Sequence, residues 1–184
     1  MEENNEQSGR ELKKVVVIGP ESTGKSSLSS ALAAHYQTEW VPEYAREYID
    51  QLQRPYQESD LIEIARGQLG SEDEKAAKSN KLLICDTDLI VIKIWYEHRY
   101  GYCPKEILST INSRKYDLYL LTYIDIPWED DPQREYPHLM EYFYNLFKSE
   151  LEALNLPYVV VRGEFEERMR SATRAIDSRL NCEQ

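Results

Sequence analysis

At 184 residues with 41% hydrophobic content, the chain is long enough for a substantial core and too apolar to be disordered. A net charge of −11 and an isoelectric point near 4.8 argue against a general nucleic-acid binder, which needs a basic face. No apolar run approaches the length of a membrane span, and three cysteines without C-x-x-C spacing (Cys85, Cys103, Cys182) fit a reduced, cytoplasmic setting.

The first dozen residues or so are polar, unpatterned and unlike a signal peptide, so residues 1–13 are expected to be a disordered tail before one domain spanning 14–184. Lys14-Val15-Val16-Val17-Ile18 then reads as a buried parallel strand. Directly after it, Gly19-Pro20-Glu21-Ser22-Thr23-Gly24-Lys25-Ser26 is a complete G-x-x-x-x-G-K-S string, and Leu28, Ala31 and Leu32 follow at helical spacing. Strand, loop and helix together are the context that a phosphate-binding loop requires. Gly19 and Gly24 allow successive N–H groups to turn inward, and the helix start adds its positive dipole end. Lys25 can then reach the β- and γ-phosphates, with the Ser26 hydroxyl as a ligand for Mg²⁺. The predicted ligand is a nucleoside triphosphate.

Thr38 to Val41 reads as a short second strand, and Glu43–Leu52 and Asp60–Lys78 as helices separated by a loop at Pro55. Leu82 to Cys85 is a third strand ending at Asp86. Leu89–Arg99 and Lys105–Arg114 are helical, Leu118–Thr122 is a fourth strand, and a polar stretch runs to Pro137. Leu139–Leu154 is an amphipathic helix, Tyr158–Val161 a fifth strand and Glu164–Leu180 a closing helix. Strands alternating with helices predict an α/β fold with a five-stranded parallel sheet, whose ligands bind beyond the carboxyl ends of the strands.

Three strand exits therefore carry candidate site residues. The second delivers Glu43, Tyr44 and Arg46, which either bind a polar substrate or form an ordinary helix start, with Glu43 favoured by the dipole. The third delivers Asp86, the expected second contact for Mg²⁺, and Asp88, which could face substrate or cap the helix at Leu89. The fourth leads into Trp128, Asp130, Asp131 and Arg134, too polar for a core. This is either a plain loop or a lid that brings Arg134 to the transferring phosphate while Asp130 or Asp131 holds substrate hydroxyls. Trp40, Tyr44 or Trp128 could stack on a heteroaromatic ring. His35, His98 and His138 show no metal-ligand spacing.

Taken in order, G-P-E-S-T-G-K-S, P-E-Y-A-R-E, C-D-T-D and P-W-E-D-D-P-Q-R-E resemble the ribosylnicotinamide kinase family of NAD salvage, and the kinase half of bacterial enzymes that also carry an adenylyltransferase half. The resemblance runs from about Val15 to the last helix. It implies a P-loop, nucleoside-kinase-like fold with a lid, ATP held by Gly19 to Ser27 (Glu21, Ser22, Thr23 and Ser27 included) and a nucleoside acceptor lined by Glu43 and Arg46. It also implies Asp86 serving Mg²⁺ or the acceptor hydroxyl, and a lid of Trp128, Asp130, Asp131 and Arg134. Some relatives have an aromatic residue just before E-Y-x-R-E where this chain has Pro42, and no H-x-G-H nucleotidyltransferase string is present. Small-molecule nucleoside phosphorylation is thus the expected activity, with no nucleic-acid or membrane partner; whether Asp86 or Glu43 takes the hydroxyl proton stays open. Two alternatives remain. A monophosphate kinase would want more Arg or Lys at the substrate edge than these mostly acidic segments offer. A GTPase-type switch would show N-K-x-D, which is absent.

Overall fold

The computed structural model describes residues 11–181. Five parallel strands form one sheet in the order β2-β3-β1-β4-β5: β1 Lys13–Ile18, β2 Glu39–Val41, β3 Leu82–Asp86, β4 Leu118–Thr122 and β5 Tyr158–Val161. The helices are α1 Lys25–Tyr36, α2 Tyr44–Gln51, α3 Glu58–Lys78, α4 Leu89–Tyr100, α5 Lys105–Ser113, α6 Met140–Ala153 and α7 Phe165–Asn181, with a single 3₁₀ turn at Pro137–Leu139. The expected elements all form, with ends shifted by one or two residues. Most of the expected tail lies outside the described residues, but its boundary moves. Lys13 belongs to β1, pairs with Leu82 and donates its N–H to Lys81 at 3.0 Å.

The two faces of the sheet follow from the period-2 alternation along β1. Val15 and Val17 face α1 and α7, packing with Leu28, Leu32, Ala172 and Ile176. Val16 and Ile18 face α4 and α6, packing with Ile90, Ile94, Phe143 and Phe147. Because both faces are covered, the inner strands carry unbroken apolar runs at Val15–Ile18, Leu82–Cys85 and Leu118–Leu121. A third cluster under α2, α3, α4 and α5 gathers Leu61, Ile64, Leu89, Ile92, Tyr96 and Ile107. Among the described residues no helix is long and apolar enough to cross a membrane.

α3 starts at Glu58, two residues earlier than its apolar pattern predicts. The Asp60 carboxylate accepts the Gln57 N–H at 2.6 Å, and the Gln57 side chain accepts in return from the Asp60 backbone, closing a reciprocal cap. Arg54 and Tyr48 also bond to Asp60 and hold its carboxyl well below the usual range, the arginine contributing most.

α2 carries candidate site residues, and its seat is set by Gly67 on α3. A Cβ there would lie 2.0 Å from Cε1 of the Tyr44 ring. Gln68 beside it accepts the Tyr44 N–H at 2.8 Å. Replacing a helical glycine with alanine gains roughly 1 kcal/mol of propensity, whereas driving a methyl into a packed ring costs about 1–3 kcal/mol. Gly67→Ala is therefore expected to lower the urea-unfolding free energy, and a stabilised variant would show that the Tyr44 ring moves aside freely.

Candidate active site

All the strands end at one edge of the sheet, and the loop between β1 and α1 sits at its centre. Gly19 lies against β4 so closely that a Cβ would come within 2.3 Å of Thr122 Oγ1, and its φ is +148°. The buried Thr23 hydroxyl donates to the Pro20 carbonyl at 2.8 Å and lies 2.7 Å from Thr122 Oγ1. Gly24, with φ of +73°, turns the chain into α1. Lys25 Nζ donates to the Pro20 carbonyl at 2.7 Å, folding back over the loop. Glu21, Ser22, Ser26 and Ser27 complete this wall of a cavity of about 500 Å³.

Behind that wall stands Asp86, the last residue of β3. It is completely buried, and neither carboxylate oxygen makes a well-formed hydrogen bond, although the Ser26 side chain lies beside it. Burial, and next the negative charge of Glu43, push its pKa up to about 7, while Ser26, Lys25 and Arg46 pull the other way. A buried carboxylate without well-formed hydrogen bonds is an expensive arrangement, and it fits an oxygen-ligand cation. Ser26 and Asp86 are the groups here that could hold Mg²⁺. Among the described residues no cluster of three or more His, Cys, Asp and Glu side chains is arranged to hold a metal by itself. That fits an ion that keeps several waters and is bound largely through substrate phosphates.

The segment between β4 and α6 folds back over the loop as a series of turns. Ser22 Oγ accepts the Glu129 N–H at 2.8 Å and Arg134 Nη1 at 3.2 Å, and Glu21 accepts the Glu135 N–H at 3.1 Å. Burial raises the Glu21 pKa despite that bond. Arg134 also donates to the Glu129 carbonyl at 2.5 Å and lines the cavity. On the opposite rim, both terminal nitrogens of Arg46 meet one oxygen of Asp131, at 2.8 and 2.9 Å. Gln133 donates to the Arg46 carbonyl at 3.2 Å and to Asp50. The strap thus spans from the glycine-rich loop to α2.

Away from the loop the cavity is apolar, with Ile49, Leu61, Ile64, Val91, Ile92, Phe143 and Phe147 on its walls beside the polar-tipped aromatic residues Tyr56 and Trp95. Trp95 is braced by Phe143 and Tyr136, at centroid separations of 5.3 and 5.6 Å. One turn further along α4, Arg99 donates to the Tyr56 hydroxyl at 2.8 Å and lies over its ring. α4 thus carries both Trp95 and the arginine that holds Tyr56, and both aromatic residues line the cavity.

Of the residues expected at the site, Gly19 to Ser27, Glu43, Arg46 and Arg134 line the cavity, with Asp86 buried behind it. Tyr44, Asp88, Trp128, Asp130 and Asp131 do not line it. Asp88 is the helix cap of the two options: its carboxylate accepts the Ile90 N–H at 3.0 Å and the Tyr119 hydroxyl at 2.8 Å, wholly buried. Asp131 is occupied by Arg46, Asp130 accepts from Trp128 Nε1 at 3.0 Å, and the Tyr44 ring packs on Gly67. Trp40 packs with the α1 and α7 cluster on the far face of the sheet. The acidic lining is instead Glu21, Glu43, Glu129, Glu135 and Glu164. Sequence reasoning missed Trp95, Tyr56 and Arg168. Trp95 and Tyr56 gave no signal apart from general aromatic enrichment, and Arg168 sits in an ordinary amphipathic helix.

A parallel sheet with a glycine-rich loop at its central strand, a buried aspartate at the neighbouring strand end and an arginine-bearing strap defines a P-loop nucleotide-binding domain. The chain belongs to the AAA domain family, whose model matches residues 14–168. It is 29% identical over 158 residues to the trifunctional NAD biosynthesis/regulator protein NadR of Escherichia coli (strain K12), and 28% identical over 156 residues to that of Salmonella typhimurium. Those alignments take in 82% and 80% of this chain but 38% of each relative, so the chain spans well under half the length of the curated proteins it matches. Its fold is that of a NadR protein crystallised in complex with NR, with a TM-score of 0.78 at 24% identity over 94% of this chain and 52% of that one. A thymidylate kinase from Ehrlichia chaffeensis superposes with a TM-score of 0.60 at 13% identity, over 90% and 97% of the two chains.

The raised pKa of Asp86 has a consequence for stability. The folded protein binds that proton more tightly than the unfolded chain does, so the group's contribution falls as pH rises from about 4 through about 7. Asp86→Asn keeps the shape and removes the charge. It should unfold at the same urea concentration as the parent near pH 4 and be more stable near pH 8, by on the order of 2–4 kcal/mol. A difference between the two proteins that does not change with pH would show that Asp86 is not held in the environment described.

Proposed function

We propose that the chain is an ATP-dependent kinase that phosphorylates the 5′-hydroxyl of nicotinamide riboside. The observation that carries this reading is one continuous cavity that joins the phosphate-binding loop to an apolar, ring-lined chamber, with the buried Asp86 near Lys25 and Arg46. The sequence similarity to NadR proteins and the four sequence strings described above support the choice of acceptor. Chemically, a flat cationic ring suits Trp95 and Tyr56 in a cavity that Glu43 and Glu135 also line, whereas a phosphate dianion in the acceptor would meet this acidic lining unfavourably.

In the reaction the 5′-oxygen attacks the γ-phosphorus in line, the bond to the β–γ bridging oxygen breaks, and ADP leaves. The hydroxyl proton passes to Asp86 or Glu43. Lys25 and the loop amides hold the phosphates, and Arg134 meets charge that develops on the transferring group. Ser26 and Asp86 would hold Mg²⁺, which neutralises phosphate charge when bound. Closure of the strap over the loop excludes water, so transfer to the acceptor is favoured over hydrolysis.

Coupled assays over a panel of nucleosides and nucleoside monophosphates should show ATP-dependent phosphorylation of nicotinamide riboside and poor use of monophosphates, with activity lost in Lys25→Ala. Preference for a monophosphate would transfer the chain to the other kinase class. Within the same assay, Trp95→Leu should raise the KM for nicotinamide riboside by about tenfold, roughly the 1–2 kcal/mol of a lost ring contact, and leave the KM for ATP nearly unchanged. An unaltered acceptor KM would remove Trp95 from the acceptor site.

Arg134 is tied to Ser22 and Glu129 and so already stands over the loop. Arg134→Ala should bind ATP nearly as tightly as the parent by calorimetry while kcat falls by on the order of a thousandfold, because the contact strengthens only as charge develops. Normal turnover, or a loss confined to ATP affinity, would reduce the strap to a surface loop.

A further inference from the structure

Arg168, on the first turn of α7, is 3% exposed and makes contacts that no surface helix needs. Its guanidinium reaches three separate loops. Nη1 donates to the carbonyl of Thr23 in the phosphate-binding loop at 2.6 Å. Nη2 donates to the carbonyl of Tyr123, just after β4, at 3.0 Å, and Nε donates to the carbonyl of Gly163, just after β5, at 2.9 Å. Asp125 closes the arrangement, accepting from Arg168 Nη2 with one oxygen and from the Gly163 N–H at 2.6 Å with the other.

We infer that Arg168 is the positioning residue of the triphosphate end of the site, holding the Thr23–Gly24 peptide and the Gly163–Phe165 turn in fixed relation to one another. This rests on the reading of the cavity as the site of a triphosphate donor. Three features carry the inference. The Thr23 carbonyl belongs to the peptide whose N–H is that of Gly24, so a donor fixed on that carbonyl sets the direction in which the loop's N–H groups point. The turn after β5 supplies Glu164 and Phe165 to the cavity wall, and Phe165 is a large apolar side chain left 44% exposed there. Finally, burying a guanidinium is a poor way to gain stability alone, since an apolar side chain of similar volume generally does as well or better. Only a planar fork of donors can reach three carbonyls in different directions, and a lysine ammonium on a flexible stem cannot reproduce it.

The role predicts a split between the two substrates. In Arg168→Met the dissociation constant for ATP, measured by calorimetry on the folded protein, should rise at least about tenfold, while the KM for the acceptor changes less than about threefold. Arg168→Lys should not restore ATP binding despite its charge. Asp125→Asn, which keeps Arg168 but removes the charge that orients it, should weaken ATP binding by several-fold. If Arg168→Met does not fold, the lysine and asparagine variants are held to the same criterion. ATP binding within about twofold of the parent in the folded variants would overturn the inference, as would equal losses of ATP and acceptor affinity. A parent protein that binds no ATP would overturn the functional reading and this role with it, whereas a parent that binds ATP alongside unaffected variants would overturn this role alone.

Discussion

The architecture of the site depends on the close approach of the phosphate-binding loop to the end of β4. Without a side chain at position 19 the backbone can lie against Thr122, and the Thr122 hydroxyl then meets that of Thr23 in the middle of the loop. Two neighbouring strands and the loop are thereby joined by a contact that excludes even one methyl group. Everything else at this edge is hung from that junction. The loop's last glycine starts α1, its Ser22 hydroxyl receives the strap, and its Thr23 carbonyl receives Arg168. A parallel sheet makes this possible because all of its strands end at the same edge and deliver their exits to one place.

The buried acids next to this junction show stability and function pulling apart. Asp86 and Asp88 are neighbours on the same exit, both wholly buried, and burial pushes both pKa values up to about 7. Their surroundings otherwise differ. Asp88 is satisfied by Tyr119 and by the first turn of α4, and so serves the fold. Asp86 has no well-formed hydrogen bond to either oxygen. A fold selected for stability alone would not keep such a group, and cost of this kind is concentrated where a site has been prepared for a ligand.

The strap shows how a very acidic chain handles a site for anions. Few basic side chains face the cavity, and each is held by an acceptor: Lys25 by the Pro20 carbonyl, Arg46 by Asp131, Arg134 by the Glu129 carbonyl and Ser22, and Arg168 by Asp125 and three carbonyls. Positive charge is thus placed locally against a net charge of −11. Attraction for phosphates then comes from short-range geometry and backbone N–H groups rather than from the overall field, which is screened beyond about 10 Å at ordinary ionic strength.

The sequence by itself determined the sheet, the loop and the chemical class of the site. Those features are local or periodic: β-branched runs mark buried strands, G-x-x-x-x-G-K-S carries its own backbone requirements, and an aspartate after an apolar strand lands at the ligand edge. The tertiary structure decided which polar residues face the cavity. Asp88 and Asp86 are two positions apart, and only the pleat of β3 and the start of α4 separate the cap from the residue behind the loop. Asp130 and Asp131 are expected from the sequence as substrate contacts, and the tertiary structure bonds them to Trp128 and Arg46 at the turn over 131–134. Trp95 and Arg168 carry no sequence signal, because their roles come from contacts with residues distant along the chain: Trp95 with Tyr136 and Phe143, and Arg168 with Thr23, 145 positions away. Pairings at that range depend on how helices cross the sheet, which no local pattern of residues encodes.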